Sequence, residues 1–180
     1  LQEVNKLTVR GELNADDWKK MKEMSNLIEV DLSGLVNEVI PSSQFRDKWA
    51  ITKVILPKKL KTIDSYAFRN SGISEIILPE TLETIGYESF SSCSGLSSIV
   101  LPNSVTSLDQ YSFAWCNNLR EVTLSENITS IPYHAFAGCD IRELTLPSNI
   151  ITVNNYAFSN NNKLAKINFS ENLETIGSGA

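Results

Sequence analysis

Three cysteines, one histidine and a set of evenly spaced carboxylates are the residues of this chain that could do chemistry. Cys93, Cys116 and Cys139 stand 23 residues apart. Thiols can form disulfides, ligate zinc or act as nucleophiles, but each role needs particular company. Three cysteines cannot all pair with one another. A zinc site needs thiolates converging with His or Cys at short spacing, and the sequence offers no such spacing. His134, the only histidine, has no cysteine or serine beside it in register to make a nucleophile–base couple. Glu83, Glu88 and similar carboxylates are scattered along the chain without a paired acid–base arrangement, and there is no glycine-rich phosphate loop. The expectation is a chain with no catalytic residues, no metal and no cofactor. Ser71 and Asn161 occupy the slot held elsewhere by the cysteines. A position that accepts Cys, Ser and Asn holds small side chains able to hydrogen bond, so the cysteines are read as buried free thiols in a ladder.

What places these residues is a period. Phenylalanines stand at 45, 68, 90, 113, 136 and 158, with gaps of 23, 22, 23, 23 and 22 residues. The stretch Leu78-Pro79 through Leu82 and Ile85 to Phe90 recurs as Leu101-Pro102 through Leu108 to Phe113, and as Leu146-Pro147 through Val153 to Phe158. Without the proline it also runs from Leu124 through Ile131 to Phe136. A fixed period in this range is the mark of a solenoid. A solenoid is one continuous core at any length, so 180 residues need not mean two domains.

Within a unit, Ile99 and Leu101 alternate with Ser98 and Val100, which is strand periodicity. Proline then removes a ladder donor and stops the strand after about three residues. Asp64, Gly86, Asp109, Pro132, Asn154 and Gly177 fill a turn slot. The short segment leading to each phenylalanine is expected to form a helical or 3₁₀ turn. Six apolar residues per unit, for example Ile73, Ile76, Leu78, Leu82, Ile85 and Phe90, point inward. Burying each contributes roughly 1.5–3 kcal/mol, against roughly 1–2 kcal/mol of backbone entropy for every residue ordered. One unit cannot fold alone; stacked neighbours can.

Residues 1–26 are read as an atypical N-terminal repeat. Aligning Val4, Leu7 and Val9 with Leu27, Val30 and Leu32 gives a constant offset of 23 and lays Gly11 on Gly34. Leu7–Val9 is the first expected strand. A short helix should follow between Asn14 and Met24, with Asn14 as N-cap, Asp17 three residues on, and Leu13 and Trp18 as a hydrophobic staple. Residues 27–180 are read as repeats of 22–24 residues starting near Leu27, Ile51, Ile73, Leu96, Leu119, Ile141 and Leu164. The last is incomplete. That ending, and Leu1 in place of a methionine, predict a longer natural protein whose leader and anchor lie outside this stretch. A formal charge of -5 argues against nucleic acid and anionic membranes as partners. No run of apolar residues is long enough to insert in a membrane.

The pattern Leu-x-x-Ile-x-Leu-Pro-x-x-Leu-x-x-Ile-x-x-x-Ala/Ser-Phe-x-x-Cys, carried well by residues 51–176 and loosely by 27–50, resembles the BspA-like, or treponemal-type, leucine-rich repeats. The lead-in from Leu7 to Asp17 looks like that of gut-bacterial members. The resemblance implies a right-handed α/β repeat coil, with a short-stranded parallel sheet on its concave face and irregular or 3₁₀ segments on its convex face. It also implies a cell-surface or secreted protein that binds other proteins, among them host matrix proteins, and no catalytic residues to carry over.

Between the inward strand positions, one column of side chains should face solvent: Asp31, Ile55, Ile77, Val100, Thr123, Thr145 and Asn168. Beside it run Glu29, Lys53, Glu75, Ser98, Glu121, Glu143 and Lys166. Ile55, Ile77 and Val100 form an apolar stripe that is either a contact site or simply β-branched residues suited to strands. Glu75, Glu121 and Glu143 with Thr123 and Thr145 make the face's polar part. A second column, two residues before each phenylalanine, holds Tyr66, Glu88, Tyr111, His134 and Tyr156, flanked by Tyr87 and Tyr133. It is either a second contact patch or a shield for the rim of the core. The leading reading is a recognition module for a protein ligand, with a glycan as the other ligand class. The alternative is a passive stalk or spacer.

Overall fold

The turn that ends the first strand of a unit, made by Pro57, Pro79, Pro102 and Pro147 in four of them, and the apolar pair that returns about six residues later, build two parallel ladders where the sequence suggested one. The structure is a computed structural model that describes residues 4–180; residues 1–3 of the expected N-terminal repeat lie outside the described residues. With strands numbered in chain order, the first ladder holds β1 (Lys6–Gly11), β2 (Glu29–Leu35), β4 (Lys53–Ile55), β7 (Ser98–Val100), β9 (Glu121–Thr123), β11 (Glu143–Thr145) and β13 (Lys166–Asn168). The second holds the two-residue strands β3 (Val39–Ile40), β5 (Thr62–Ile63), β6 (Thr84–Ile85), β8 (Ser107–Leu108), β10 (Ser130–Ile131), β12 (Thr152–Val153) and β14 (Thr175–Ile176). Every pairing is parallel. Like residues meet like: Ile63 lies opposite Ile40 and Ile85, and Ile99 opposite Val122. The result is a parallel-strand β-solenoid of about seven turns. Helix is confined, among the described residues, to α1 (Ala15–Glu23), so the α/β class expected from sequence is corrected toward a β-solenoid.

The N-terminal helix forms as its signals indicate. The Asn14 side chain accepts from the Asp16 and Asp17 amides while Asp17 accepts from the Asn14 amide, closing a capping box. Trp18 and Met21 are buried on the core, and Trp18 holds Gln44 through its carbonyl (3.1 Å). The expected register of β1 is half right. Leu7 pairs with Val30, but an irregularity after Thr8 sets Arg10, not Gly11, opposite Gly34. A β-carbon on Gly34 would crowd the Arg10 side chain. β2 runs for seven residues because Ser33-Gly34 replaces the strand-ending Leu-Pro.

The segments around each phenylalanine are not the 3₁₀ turns expected. They are chains of tight turns in which backbone donors alternate in direction. The amides of Tyr66, Phe68 and Asn70 donate to the next coil, at Tyr87, Ser89 and Ser91. Those of Ala67, Arg69 and Ser71 donate within their own coil, to Asp64, Tyr66 and Phe68. This satisfies each donor but requires a left-handed backbone at two places per turn. Ser43, Tyr66, Glu88, Tyr111, His134 and Tyr156 have φ of 50–62° two residues before the phenylalanine, and Asp47, Asn70, Ser92, Trp115 and Asn160 have φ of 54–63° two residues after it. Non-glycine residues pay for that conformation, about 1 kcal/mol each. Gly138 takes it freely at φ 69°, and Trp115 of the preceding coil lies where a β-carbon on Gly138 would be. Gly138→Ala is therefore expected to lower the unfolding free energy by about 1–3 kcal/mol in urea titration. Adding Trp115→Ala should make the combined loss smaller than the sum of the two single losses.

The six phenylalanine rings stack in one file. Centroids lie 5.2, 5.1, 5.1, 5.4 and 5.7 Å apart from Phe45 to Phe158, with planes within 11° of parallel. The spacing follows the roughly 4.8 Å rise between hydrogen-bonded strands. Beside them Cys93, Cys116 and Cys139 are free and buried. Each thiol donates to a phenylalanine carbonyl of the coil before, Phe68, Phe90 and Phe113 respectively, at 3.1–3.3 Å. Asn161 makes the same bond to Phe136 through its side-chain amide (2.8 Å). Ser71 instead lies 3.4 Å from the Cys93 sulfur.

Both ladders are interrupted, and the sequence marks where. Phe68 is followed after five residues by Ile73 and Phe136 by Ile141, whereas Phe90 and Phe113 need six to reach Leu96 and Leu119. After each short link the strand misses its predecessor. Only a single bridge, Lys53 to Glu75, joins β4 to the next coil, and β9 and β11 do not pair. The second ladder breaks between β8 and β10. There Pro132 stands where Asp109 donates to Ile85 and Asn154 to Ile131 in other coils, and proline has no amide hydrogen to give.

Candidate binding surface

Alternation along the three-residue strands turns every second side chain out of the core. Val54, Ile99 and Leu144 are buried while their neighbours face solvent. Ile55 is 43% exposed, Ile77 88% and Val100 61%, so the apolar stripe anticipated from sequence stands on three successive coils of the first-ladder face. The same face continues through exposed Thr123 and Thr145, with Glu75, Glu121 and Glu143 exposed beside it. At its start Lys6 and Glu29 form an ion pair at 3.1 Å. Asp31 accepts from the Ser33 amide (2.9 Å), and the Ser33 hydrogen bonds hold its carboxyl below the ordinary carboxylate range.

The exposure of Ile77 has a cause that alternation alone does not supply. It lies in the coil that joins β4 by one bridge and pairs with β7 not at all. A groove of about 330 Å³ opens there between Ile55 and Ile77. The other break, between β9 and β11, carries a wider depression of about 750 Å³ rimmed by Arg120, Glu121, Glu126, Arg142 and Glu143. Its rim mixes both charges. Arg120 and Lys163 converge nearby on Asp140 (3.4 and 3.0 Å), and their contacts, led by Lys163, keep that carboxyl below its usual range.

The tyrosine column forms a continuous structure of another kind. Tyr66, Tyr87, Tyr111, Tyr133 and Tyr156 meet edge to face at 5.4–5.9 Å. His134 is stacked between Tyr111 (4.9 Å) and Tyr156 (5.0 Å). Its Nδ1 is buried without a hydrogen-bond partner, and burial pulls its pKa down. Glu88 accepts from Arg69 at 2.8 Å. Its hydrogen bond with Tyr87, followed by burial, pushes that phenol up to about 12. The rings spend their faces and edges on one another, which suits a cover over the phenylalanine stack. Sequence reasoning placed these residues in one column but missed the left-handed backbone that orients them. Among the described residues no three or more His, Cys, Asp or Glu side chains converge as a metal site, and no helix is long and apolar enough to cross a membrane.

Six copies of the model for the BspA type leucine rich repeat region match residues 38–164. Among curated proteins nothing matches. Solved structures share the fold. A leucine-rich repeat protein from Bacteroides ovatus superposes with a TM-score of 0.77 at 24% identity, covering 84% of this chain and 40% of that protein. The T. pallidum leucine rich repeat protein gives 0.67 at 24% identity over 95% of this chain and 66% of that one. The pneumococcal vaccine antigen PcpA gives 0.53 at 19% identity over 84% and 54%. This chain thus spans well under half of the first of these proteins and about two thirds of the second.

Proposed function

The chain belongs to the family of BspA-type leucine-rich repeat regions, and from that membership we propose that it is a recognition module of a bacterial surface or secreted protein, binding another protein in adhesion. The first-ladder face is taken as the concave side of the coil and as the docking surface. The observation that carries the reading is the contiguous apolar stripe of Ile55, Ile77 and Val100, exposed on adjacent coils and covered by none of the described residues. Contiguous exposed aliphatics on a soluble surface mark contact sites, and the exposed Glu75, Glu121, Glu143, Thr123 and Thr145 supply the polar surround usual at interfaces. The self-satisfied tyrosine column makes a weaker docking surface.

The test is adherence. Cells displaying the chain should attach to wells coated with an extracellular-matrix protein. Ile55→Asp, Ile77→Asp and Val100→Asp combined should reduce attachment about tenfold or more while leaving the thermal midpoint nearly unchanged, because these side chains already face water. A spacer would tolerate the triple change and lose function only on shortening. That result would overturn the proposal.

A further inference from the structure

We infer that the groove between Ile55 and Ile77 takes an extended acidic peptide segment, one apolar side chain filling the groove and flanking carboxylates meeting Lys53 and Lys58. The inference rests on the protein-recognition reading above and names the chemistry of the ligand. Three independent observations support it.

The first is shape and polarity. The groove walls are Val54, Ile55, Leu56, Ile76, Ile77 and Pro79, and about 330 Å³ holds one or two aliphatic side chains. The second is unpaired backbone. Where the ladder is intact, Leu101 donates to Thr123 and Leu146 to Asn168 at 2.9 Å. Among the described residues the equivalent amides of Leu56 and Leu78 have no such partner, and Ile77, flanked by neither strand, makes no backbone hydrogen bond. Unpaired strand groups are a template for another extended chain. The third is charge. Lys53 and Lys58 stand at the groove, exposed, with no ion pair among the described residues. Residues 51–72 carry five Lys and Arg against the single acid Asp64, in a chain with 16 basic and 21 acidic residues. Glu75 is the groove's one carboxylate, and it is outnumbered.

These features select a peptide over an anionic glycan. A sulfated sugar would satisfy the lysines but has no aliphatic chain for the groove, whereas an extended peptide presents alternate side chains to one side and offers its own amides to Ile77. The wider break between β9 and β11, with charges of both signs at its rim, shows no such match.

The probe is the peptide fluorescein-Asp-Ser-Asp-Ser-Leu-Ser-Asp-Ser-Asp-amide, whose period of two sets the leucine and its flanking carboxylates on one side of the extended chain, followed by anisotropy with the intact chain. It should bind more weakly as salt rises. Binding should weaken about tenfold or more with Lys53→Glu and Lys58→Glu combined, and similarly with Ile77→Asp. Replacing its Asp residues by Lys, or N-methylating alternate amides, should abolish binding. Equal binding of the acidic and basic peptides, indifference to the lysine reversals, absence of binding at millimolar peptide, or tighter binding of a heparin-derived oligosaccharide would each overturn the inference. If displayed cells lose adherence with the aspartate triple variant while the peptide ignores the lysine reversals, the recognition reading stands and this inference alone falls.

Discussion

Replacing Phe113 by alanine is expected to destabilise the solenoid by about 3–5 kcal/mol, measured by urea unfolding, while Phe158→Ala should cost clearly less. Phe113 is fully buried, with Phe90 at 5.1 Å on one side and Phe136 at 5.4 Å on the other, both planes within 1° of its own. Removing its ring deletes two stacked contacts, each about 0.5–1.5 kcal/mol beyond area burial, and opens a void. The void cannot close, because the neighbouring coils are held at fixed spacing. Phe113 donates its amide to Ala135, and its carbonyl accepts from the Cys139 thiol. Phe158 has one described ring neighbour, Phe136, at 5.7 Å and is 5% exposed. Equal losses at the two positions would mean that each ring acts alone and that stacking along the file contributes nothing.

That file was legible from spacing because a period places like residues on like. The cysteine column followed from the same logic, with Ser71 and Asn161 as the substitutes that revealed its character. The alternation of Ser98, Ile99 and Val100 was enough to send Val100 outward. Other features lay beyond that reasoning. Two-residue strands such as Thr62–Ile63 are too short for a period of two to show, so the second ladder appeared only as returning apolar residues. Left-handed backbone at Tyr66, Glu88, Tyr111 and Tyr156 has no residue signature, since glycine and, less strongly, Asn, Asp and His are the residues that announce positive φ. Two residues after the phenylalanine, Asp47, Asn70, Gly138 and Asn160 did announce it, while Ser92 and Trp115 did not. The ladder breaks were written in the sequence, in the five-residue step from Phe68 to Ile73 and in Pro132. Their meaning depends on how strands meet in three dimensions. The exposure of Ile77 is the product of both kinds of information: alternation turns it outward, and the break strips its neighbours away.

This division bears on recognition. A uniform period would give a uniform face, the same on every coil. The one-residue deficits after Phe68 and Phe136 make two coils unlike the others, while the phenylalanine stack continues past each, Phe68 to Phe90 at 5.1 Å and Phe136 to Phe158 at 5.7 Å. The core therefore tolerates local irregularity on the first-ladder face, and such irregularity distinguishes one groove from the next on a scaffold otherwise built by repetition.

Alkali should unfold this protein through its thiols. Burial pushes Cys93 up to about 11 and Cys139 up to about 12, and holds Cys116 well above the ordinary thiol range. In the unfolded chain all three ionise near the usual thiol value. Their folded pKa values are raised, so the unfolded state binds fewer protons above about pH 9, and stability falls as pH rises. The contribution is fully present below pH 9 and is lost progressively toward pH 11 and 12, by roughly 2 kcal/mol per thiol at pH 10.5. A variant with Cys93→Ser, Cys116→Ser and Cys139→Ser combined keeps a hydroxyl in a slot that Ser71 already fills, and has nothing there to ionise. Its urea midpoint should decline far less than that of the parent between pH 8 and 10.5. Tyr87, held near 12 by Glu88 and burial, is present in both and cancels in the comparison. Parallel declines in the two proteins would show that the cysteine ladder is not what alkali attacks.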